Sequence, residues 1–397
     1  VTARHVDVDE RRARIGHRHR LATEARLDDP VAITEGVVAL HATDPATVHL
    51  STMARMAHPA FGPLDHALYD ERNLLRHHAM RRTLWVTTPH TGRVVHAACT
   101  VDVAAVERRK FEQLLVSSGV ATDPVTWLAE RRVELLALLA ERGPLSARQV
   151  GSIAPHLATR LQLPAESVSQ AAHTRLLVLL GFEGSVVRGR PSGGWTTSEY
   201  VWWHADAWLS EGLAGLPTAA AAQALVERYL WAFGPATTAD VQWWAGWTVA
   251  RTKQALADAG AVAVSVDGGS AWLHPDDTAA LEPTAPWAAL LPALDPSTMG
   301  WKDRSFTLGE HAAFGGPLFD RNGNAGPTVW ADGRVVGGWG QRADGEVVVH
   351  LLEAVPAAVQ RRIDAEVETL AGVLGGTRVS PRFPTPLQRQ LAGSARA

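Results

Sequence analysis

Twice in this chain a glycine-proline turn separates two helical stretches, and each time a strand pair follows the helices. In the first instance Arg131 to Glu141 has a helical pattern, Gly143-Pro144-Leu145-Ser146 forms a capped turn, and Ala147 restarts the helix. A third helix is expected over Ser167 to Leu180, and Val186 to Thr197 (VVRGRPSGGWTT) reads as a β-hairpin with a glycine-rich tip. In the second instance Ala220 to Phe233 is helical, Gly234-Pro235-Ala236-Thr237-Thr238 is the turn, and Ala239 to Trp244 and Thr248 to Ala259 are helices. Val262 to Leu273 (VAVSVDGGSAWL) then turns at Asp267-Gly268, a residue pair suited to the positive φ of a tight hairpin. Short alanine-rich helices alone would not place a hairpin at the same point of both sequences, so repeated units are expected.

The N-terminal part follows a related order. Asp9 to Leu27 is arginine-rich and helical, and Ile33 to Ala42 reads as a second amphipathic helix. Asp44-Pro45 then supplies an N-cap followed by proline at the first helical position, which predicts a third helix from Ala46 to Met56 and a tight corner before it. Asp65 to His78 continues helically, and Arg82 to Thr88 (RTLWVTT) is rich in strand formers. Helices followed by a short strand pair are the order of a winged helix. The chain is therefore expected to be an α+β protein of about three tandem winged-helix domains with a β-rich C-terminal module, divided at 1-122, 123-215, 216-284 and 285-397. The last segment holds strand patterns at Leu290 to Pro296, Thr328 to Trp339 (with the turn pair Asp332-Gly333) and Glu346 to Leu352, then a helix from Ala354 to Leu374. Ser380 to Ala397 reads as a tail that is ordered only if it docks.

Of 397 residues, 46% are hydrophobic and 20% charged, a make-up that buries a core rather than remaining disordered. No apolar run is long enough to span a bilayer, and the charged start Val1 to Glu10 does not suit a secretory signal, so a cytoplasmic, membrane-free protein is expected. A single cysteine, Cys99, can form neither an internal disulfide nor a cysteine-based zinc site. Lysine occurs only at Lys110, Lys253 and Lys302, so nearly all of the 38 basic residues are arginine, the cation suited to bidentate phosphate contacts. The net charge of −3 does not by itself select a partner. His17-Arg18-His19 and His77-His78 raise the question of metal, but no HExxH and no carboxylate-supported cluster accompanies them. Gly315 to Gly326 is loop-like without a phosphate-binding pattern, so neither metal nor cofactor is expected. Trp202-Trp203 and Trp243-Trp244 read as core rather than as base-stacking platforms.

Several short elements, taken in order, resemble a known family. Ala39-Leu40-His41-Ala42-Thr43-Asp44-Pro45 is similar to an element with a glutamine, a small residue, then glutamine or aspartate before Asp-Pro; Met80-Arg81-Arg82-Thr83-Leu84-Trp85 resembles an MRGTLH segment. Arg228-Tyr229-Leu230, Gly234 to Thr237 and Trp243-Trp244-Ala245-Gly246 resemble a later winged helix, and Leu290 to Pro296 with Gly300 to Arg304 resembles a closing module. Together they are similar to the bacterial winged-helix family that includes the AlkZ and YcaQ DNA glycosylases. The resemblance implies tandem winged helices cupping double-stranded DNA and excising N7-alkylated or bulky purines, including interstrand crosslinks, in DNA repair or genotoxin self-resistance. Two departures stand out: His41 and Thr43 occupy the positions of the usual catalytic pair, and Arg82 and Trp85 occupy those of a glycine and a histidine near the wing.

An N7-alkylpurine is already a cationic leaving group, so the remaining tasks are to stabilise an oxocarbenium-like sugar and to position a water. Neutral His41 can accept a hydrogen bond from that water and the Thr43 hydroxyl can fix it from a second direction, with Asp44 as possible electrostatic support. Each also has a structural reading: a histidine closing a helix, a threonine bonded locally, and an N-cap. Arg72, Arg76, His77, His78, Arg81 and Arg82 form a basic run from a recognition helix into a wing, and Arg188 and Arg190 flank Gly189 on the second hairpin, positions suited to phosphate or minor-groove contact. No lysine lies in the His41 corner, so a monofunctional glycosylase acting as a monomer is expected. A non-catalytic DNA-binding protein (regulator or lesion-shielding) and a genotoxin-binding protein are the alternatives.

Overall fold

The computed structural model describes residues 4–163, 169–314 and 316–393. The chain forms two compact units, one of Leu68–Ala222 and one of Val1–Ala67 with Gln223–Ala397.

In the contiguous unit, helix Pro124–Arg142 starts on the Asp123 side chain, which accepts from Thr126 N, and stops at Gly143, whose φ of 79° a side chain would resist. Its buried residues Leu128, Leu135 and Leu139 fall on one face at helical spacing. They pack with Phe111 and Leu115 of helix Val101–Ser117 and with Leu176 and Leu180 of helix Ala172–Phe182. The expected helix from Ser167 starts later: Ser169–Ala171 is a strand paired antiparallel with Arg160–Gln162, and Ser167 lies outside the described residues. The strands of the unit's main sheet run in the order Leu84–Thr87, Leu75–His78, Val186–Pro191, Tyr200–His204, Leu145–Ser146. The second hairpin is longer than its sequence pattern suggests, since Thr197 belongs to the tip and the return strand is Tyr200–His204.

The helical reading of Asp65 to His78 is corrected. Helix Gly62–Asp65 passes into a single wide turn at His66–Asp70, Arg72 adopts φ 60°, and Leu75–His78 is a strand paired with Leu84–Thr87. A left-handed residue ends a helix because it points the next peptide out of the ladder.

Helix Thr218–Phe233 carries the chain across the limit at Gln223, and in the discontinuous unit it is followed by helices Thr238–Ala245 and Val249–Asp258 and the hairpin Val262–Val266 and Gly269–Leu273. His5–Val6 adds to that hairpin as a parallel strand, ahead of helix Val8–Arg18. A four-stranded antiparallel sheet closes the unit in the order Ala288–Leu291, Thr328–Ala331, Arg334–Gln341, Val347–Leu351. Helix Ala357–Leu374 packs on its first strand and helix Pro386–Gly393 on its third. That second helix sits close because Gly338 and Gly340 lack a Cβ: one built at Gly338 would lie 2.7 Å from Leu387.

Candidate active site

The second expected helix, Ile33 to Ala42, also ends early, and this reshapes the corner that carries His41. Asp29 accepts from Val31 N and Ala32 N, Pro30 opens the helix, and it closes at Gly36. Val38 at φ 65° turns the chain, and Leu40–His41 is a two-residue strand. His41 therefore sits on a strand that runs into helix Pro45–Met53, not on the end of a helix.

At this corner the Thr43 amide donates to His41 Nδ1 at 3.4 Å, a long contact that nonetheless leaves the lone pair on Nδ1 and the proton of the neutral ring on Nε2. His41 and Asp44 are buried and Thr43 is half-buried. Asp44 caps the following helix by accepting from Ala46 N at 3.2 Å, and its second oxygen accepts from the backbone N of Arg382 at 2.9 Å. Burial pushes the Asp44 carboxyl above its ordinary range, while those two amides and the nearby Arg382 charge pull the other way. The helix is fixed farther along by Thr47 Oγ1, which donates to Ala293 O at 2.8 Å, and by the buried His49, whose Nε2 is 3.0 Å from Asp65 Oδ1. At its end, Arg55 makes a bidentate pair with Asp295 at 2.9 and 2.8 Å and donates to Ser297 Oγ.

The AlkZ-like DNA glycosylase family model matches residues 34–373, a span that begins just before this corner and takes in both units. The chain belongs to that family. It is a DNA glycosylase whose substrate is DNA. Its fold is similar to that of the Streptomyces sahachiroi DNA glycosylase AlkZ, with a TM-score of 0.70 and 19% identity over 94% of this chain and 98% of that one. Among curated proteins none matches the chain.

The other candidate residues of this AlkZ-like glycosylase lie in the contiguous unit, where most of their polar groups are engaged internally. Arg76 is buried on the strand Leu75–His78, donating to the Tyr200 hydroxyl at 2.7 Å, with its guanidinium 4.8 Å from that ring. His77 Nε2 meets Thr87 Oγ1 at 3.0 Å, and His78 stacks on Trp202 and packs against Phe182. Burial is the main cause of low pKa values in this group. It takes His77 to about 3 and His96 to about 4, and it holds His78 well below its usual range. Arg188 lies 3.9 Å over Trp202, and Arg72 is held between Trp203 and Trp208 while donating to Ala207 O. Trp202 is buried as expected, on the strand Tyr200–His204.

Three cations of the two wings stand nearer to solvent. Arg190 is half-exposed, pairs with Asp70 at 2.9 Å and lies over Tyr69. Arg81 and Arg82 both adopt positive φ, 52° and 63°, in the turn between the paired strands. Arg82, 52% exposed, reaches Glu107 at 3.0 Å. Trp85, at the position where the family pattern has histidine, is buried and donates from Nε1 to Thr83 Oγ1 at 2.8 Å. Sequence reasoning missed the backbone bond from Arg382 to Asp44, a contact between residues more than 300 positions apart that no local pattern reports.

Proposed function

We propose that the chain hydrolyses the N-glycosidic bond of N7-alkylated or bulky purine adducts in duplex DNA, with His41 and Thr43 holding the attacking water. The observation that carries this reading is the contact between Thr43 N and His41 Nδ1. With Nδ1 accepting from Thr43 N, the neutral ring carries its proton on Nε2, so His41 meets the water as a donor, as the amide of glutamine would at the same position, and not as the acceptor expected from the sequence. The cationic base departs as a neutral purine and the water that adds to C1′ loses its proton to solvent afterwards, so placing the water matters more than removing its proton at the start of the step. Asp44 contributes charge near the sugar, although both of its oxygens serve backbone amides. The reaction leaves an intact strand with an abasic site, because an amine nucleophile would be needed to open the sugar and no lysine stands within this corner.

DNA contact from the wings falls to Arg81, Arg82 and Arg190, while Arg76, Arg188, His77 and His78 hold the hairpins together. Two stretches support three tandem winged helices near the limits 122, 215 and 284. The order of helices Pro124–Arg142, Ala147–Ile153 and Ala172–Phe182 before one hairpin is repeated by the three helices before Val262–Leu273. A cytoplasmic monomer fits this reading, and light scattering tests the oligomeric state.

The test is base release from duplexes carrying N7-methylguanine and bulkier N7-guanine adducts. His41→Ala slows release by roughly 10²-fold, the cost of a misplaced reactant, since His41 positions the water rather than taking its proton. His41→Gln keeps part of the activity, and Thr43→Ala costs roughly 2- to 13-fold, one hydrogen bond's share of the barrier. Release by His41→Ala at the parent rate on every duplex would remove His41 from the chemistry.

A further inference from the structure

The segment after helix Ala357–Leu374 is tied to the discontinuous unit at nearly every step. Gln341 clasps it twice, donating to Thr377 O and accepting from Val379 N. Leu387 N donates to Pro317 O, and the buried Thr385 accepts from Gln388 N. Pro381, Pro384 and Pro386 restrict the backbone between these ties. The stretch is therefore a strap with a fixed course, and its midpoint is the Arg382 amide bonded to Asp44.

The strap carries three arginines, and they differ in what they do. Arg378 donates to Ala343 O at 2.7 Å, and Arg389 donates to Pro384 O at 2.7 Å, so both guanidiniums fasten the strap itself. Arg382 is exposed, and among the described residues its guanidinium makes no hydrogen bond or ion pair; it lies 5.8 Å from the Phe383 ring. Its backbone is pinned one residue from Thr43, so the cation is presented at the rim of the His41 corner. An arginine stem held at its base and shielded on one side by a ring loses less freedom on engaging an anion than one on a mobile loop. The anion that duplex DNA brings to such a rim is a backbone phosphate.

We propose that Arg382 binds the phosphate flanking the nucleotide whose glycosidic bond faces His41, so that the C-terminal strap supplies a DNA contact at the site of base release. The inference rests on the proposed role of the His41 corner.

The experiment is fluorescence anisotropy at several salt concentrations, with the full chain and a duplex carrying a tetrahydrofuran abasic analogue, compared with undamaged duplex. Nothing is cleaved in this measurement, so it stands apart from the base-release test of His41. Arg382→Ala is expected to bind the analogue duplex about tenfold more weakly and to lower the slope of log affinity against log salt by about one. Arg382→Lys keeps the slope, because a point charge still neutralises the phosphate, but loses part of the affinity. The anchoring bond to Asp44 uses the backbone, so both variants keep the parent fold by circular dichroism, and a small drop in melting temperature confined to Arg382→Ala reports the lost charge near Asp44. Undiminished affinity and slope in Arg382→Ala overturn the proposal. An equal loss on damaged and undamaged duplex also overturns it, since that would make Arg382 a general DNA contact rather than one at the target nucleotide.

Discussion

Arg55 and His77 are both enclosed, yet Arg55 is met by a carboxylate, whereas burial holds the His77 ring neutral. In the discontinuous unit, charge is buried as charge. Arg55 faces Asp295, and Arg14 faces Glu10 and Asp277, each guanidinium almost without exposure. Burial alone would raise the Asp295 carboxyl, but the Arg55 charge and its hydrogen bonds hold it below the usual range. In the contiguous unit, enclosed polarity takes the form of neutral rings, His77, His78 and His96, with arginines laid on aromatic faces beside them. The two units should therefore fail for different reasons: one when a partner is removed, the other when protons are added.

The largest effect is expected from separating the buried pair. Asp295→Asn leaves Arg55 enclosed without its counter-charge and should cost about 3–5 kcal/mol in urea unfolding. Replacing both partners, Arg55→Met with Asp295→Leu, should recover much of that loss, because no unpaired charge remains. If the single and double variants unfold at the same urea concentration, the pair is not what the unit depends on.

Acid should act on the other unit first. The folded forms of His77 and His96 stay neutral until about pH 3 and 4, whereas in the unfolded chain each takes a proton near pH 6.5. Their contribution to stability is complete above about pH 6.5 and is lost as pH falls from there toward 4. Each histidine makes the slope about 1.4 kcal/mol per pH unit in that window. The discontinuous unit holds His19 in the same way, at about 3, and the contrast rests on the grouping of His77, His78 and His96 in one unit. Hydrogen exchange at pH 7, 5.5 and 4.5 should show Leu68–Ala222 opening ahead of the remainder, and His96→Gln should flatten the difference. Equal loss of protection in both units would break the comparison.

The smallest effect concerns Asp44, an enclosed carboxylate satisfied by amides rather than by a facing guanidinium. Asp44→Ala removes a helix cap and the strap's anchor together, and about 1–2 kcal/mol is expected from thermal unfolding. Asp44→Asn keeps oxygen acceptance toward only one of the two amides and should fall between. A melting temperature unchanged in Asp44→Ala would leave the cap without energetic weight.

What could be read from the sequence follows from how local each signal is. The hairpin turning at Asp267-Gly268 and the strand pair around Asp332-Gly333 were legible because the turn chemistry lies within the pair itself. The Asp44-Pro45 restart was legible for the same reason, and helix Pro45–Met53 begins there. Leu75–His78 was not. Three polar residues in a row resemble an exposed helical face, and what encloses them as a strand is supplied from elsewhere: Tyr200 for Arg76, Thr87 for His77, Trp202 for His78. In the candidate site, His41, Thr43 and Asp44 could be named from their order, but the direction of the His41 lone pair and the arrival of Arg382 depend on backbone placement that no motif encodes.

The division of the chain has a consequence for how the protein is made. Leu68–Ala222 is an uninterrupted stretch, so every residue of its core has been added to the growing chain before Gln223. The other unit waits: His5–Val6, synthesised well ahead of its partner strand, cannot pair until Ser265–Val266 emerges, and Arg55 has no Asp295 until later still. During that interval the early helices carry enclosed-to-be arginines and apolar faces with nothing to cover them, the condition in which nascent chains call on chaperones. A ribosome pausing between Ala222 and Asp295 would hold one finished unit beside one half-made, which makes the rate of synthesis across that stretch a determinant of yield.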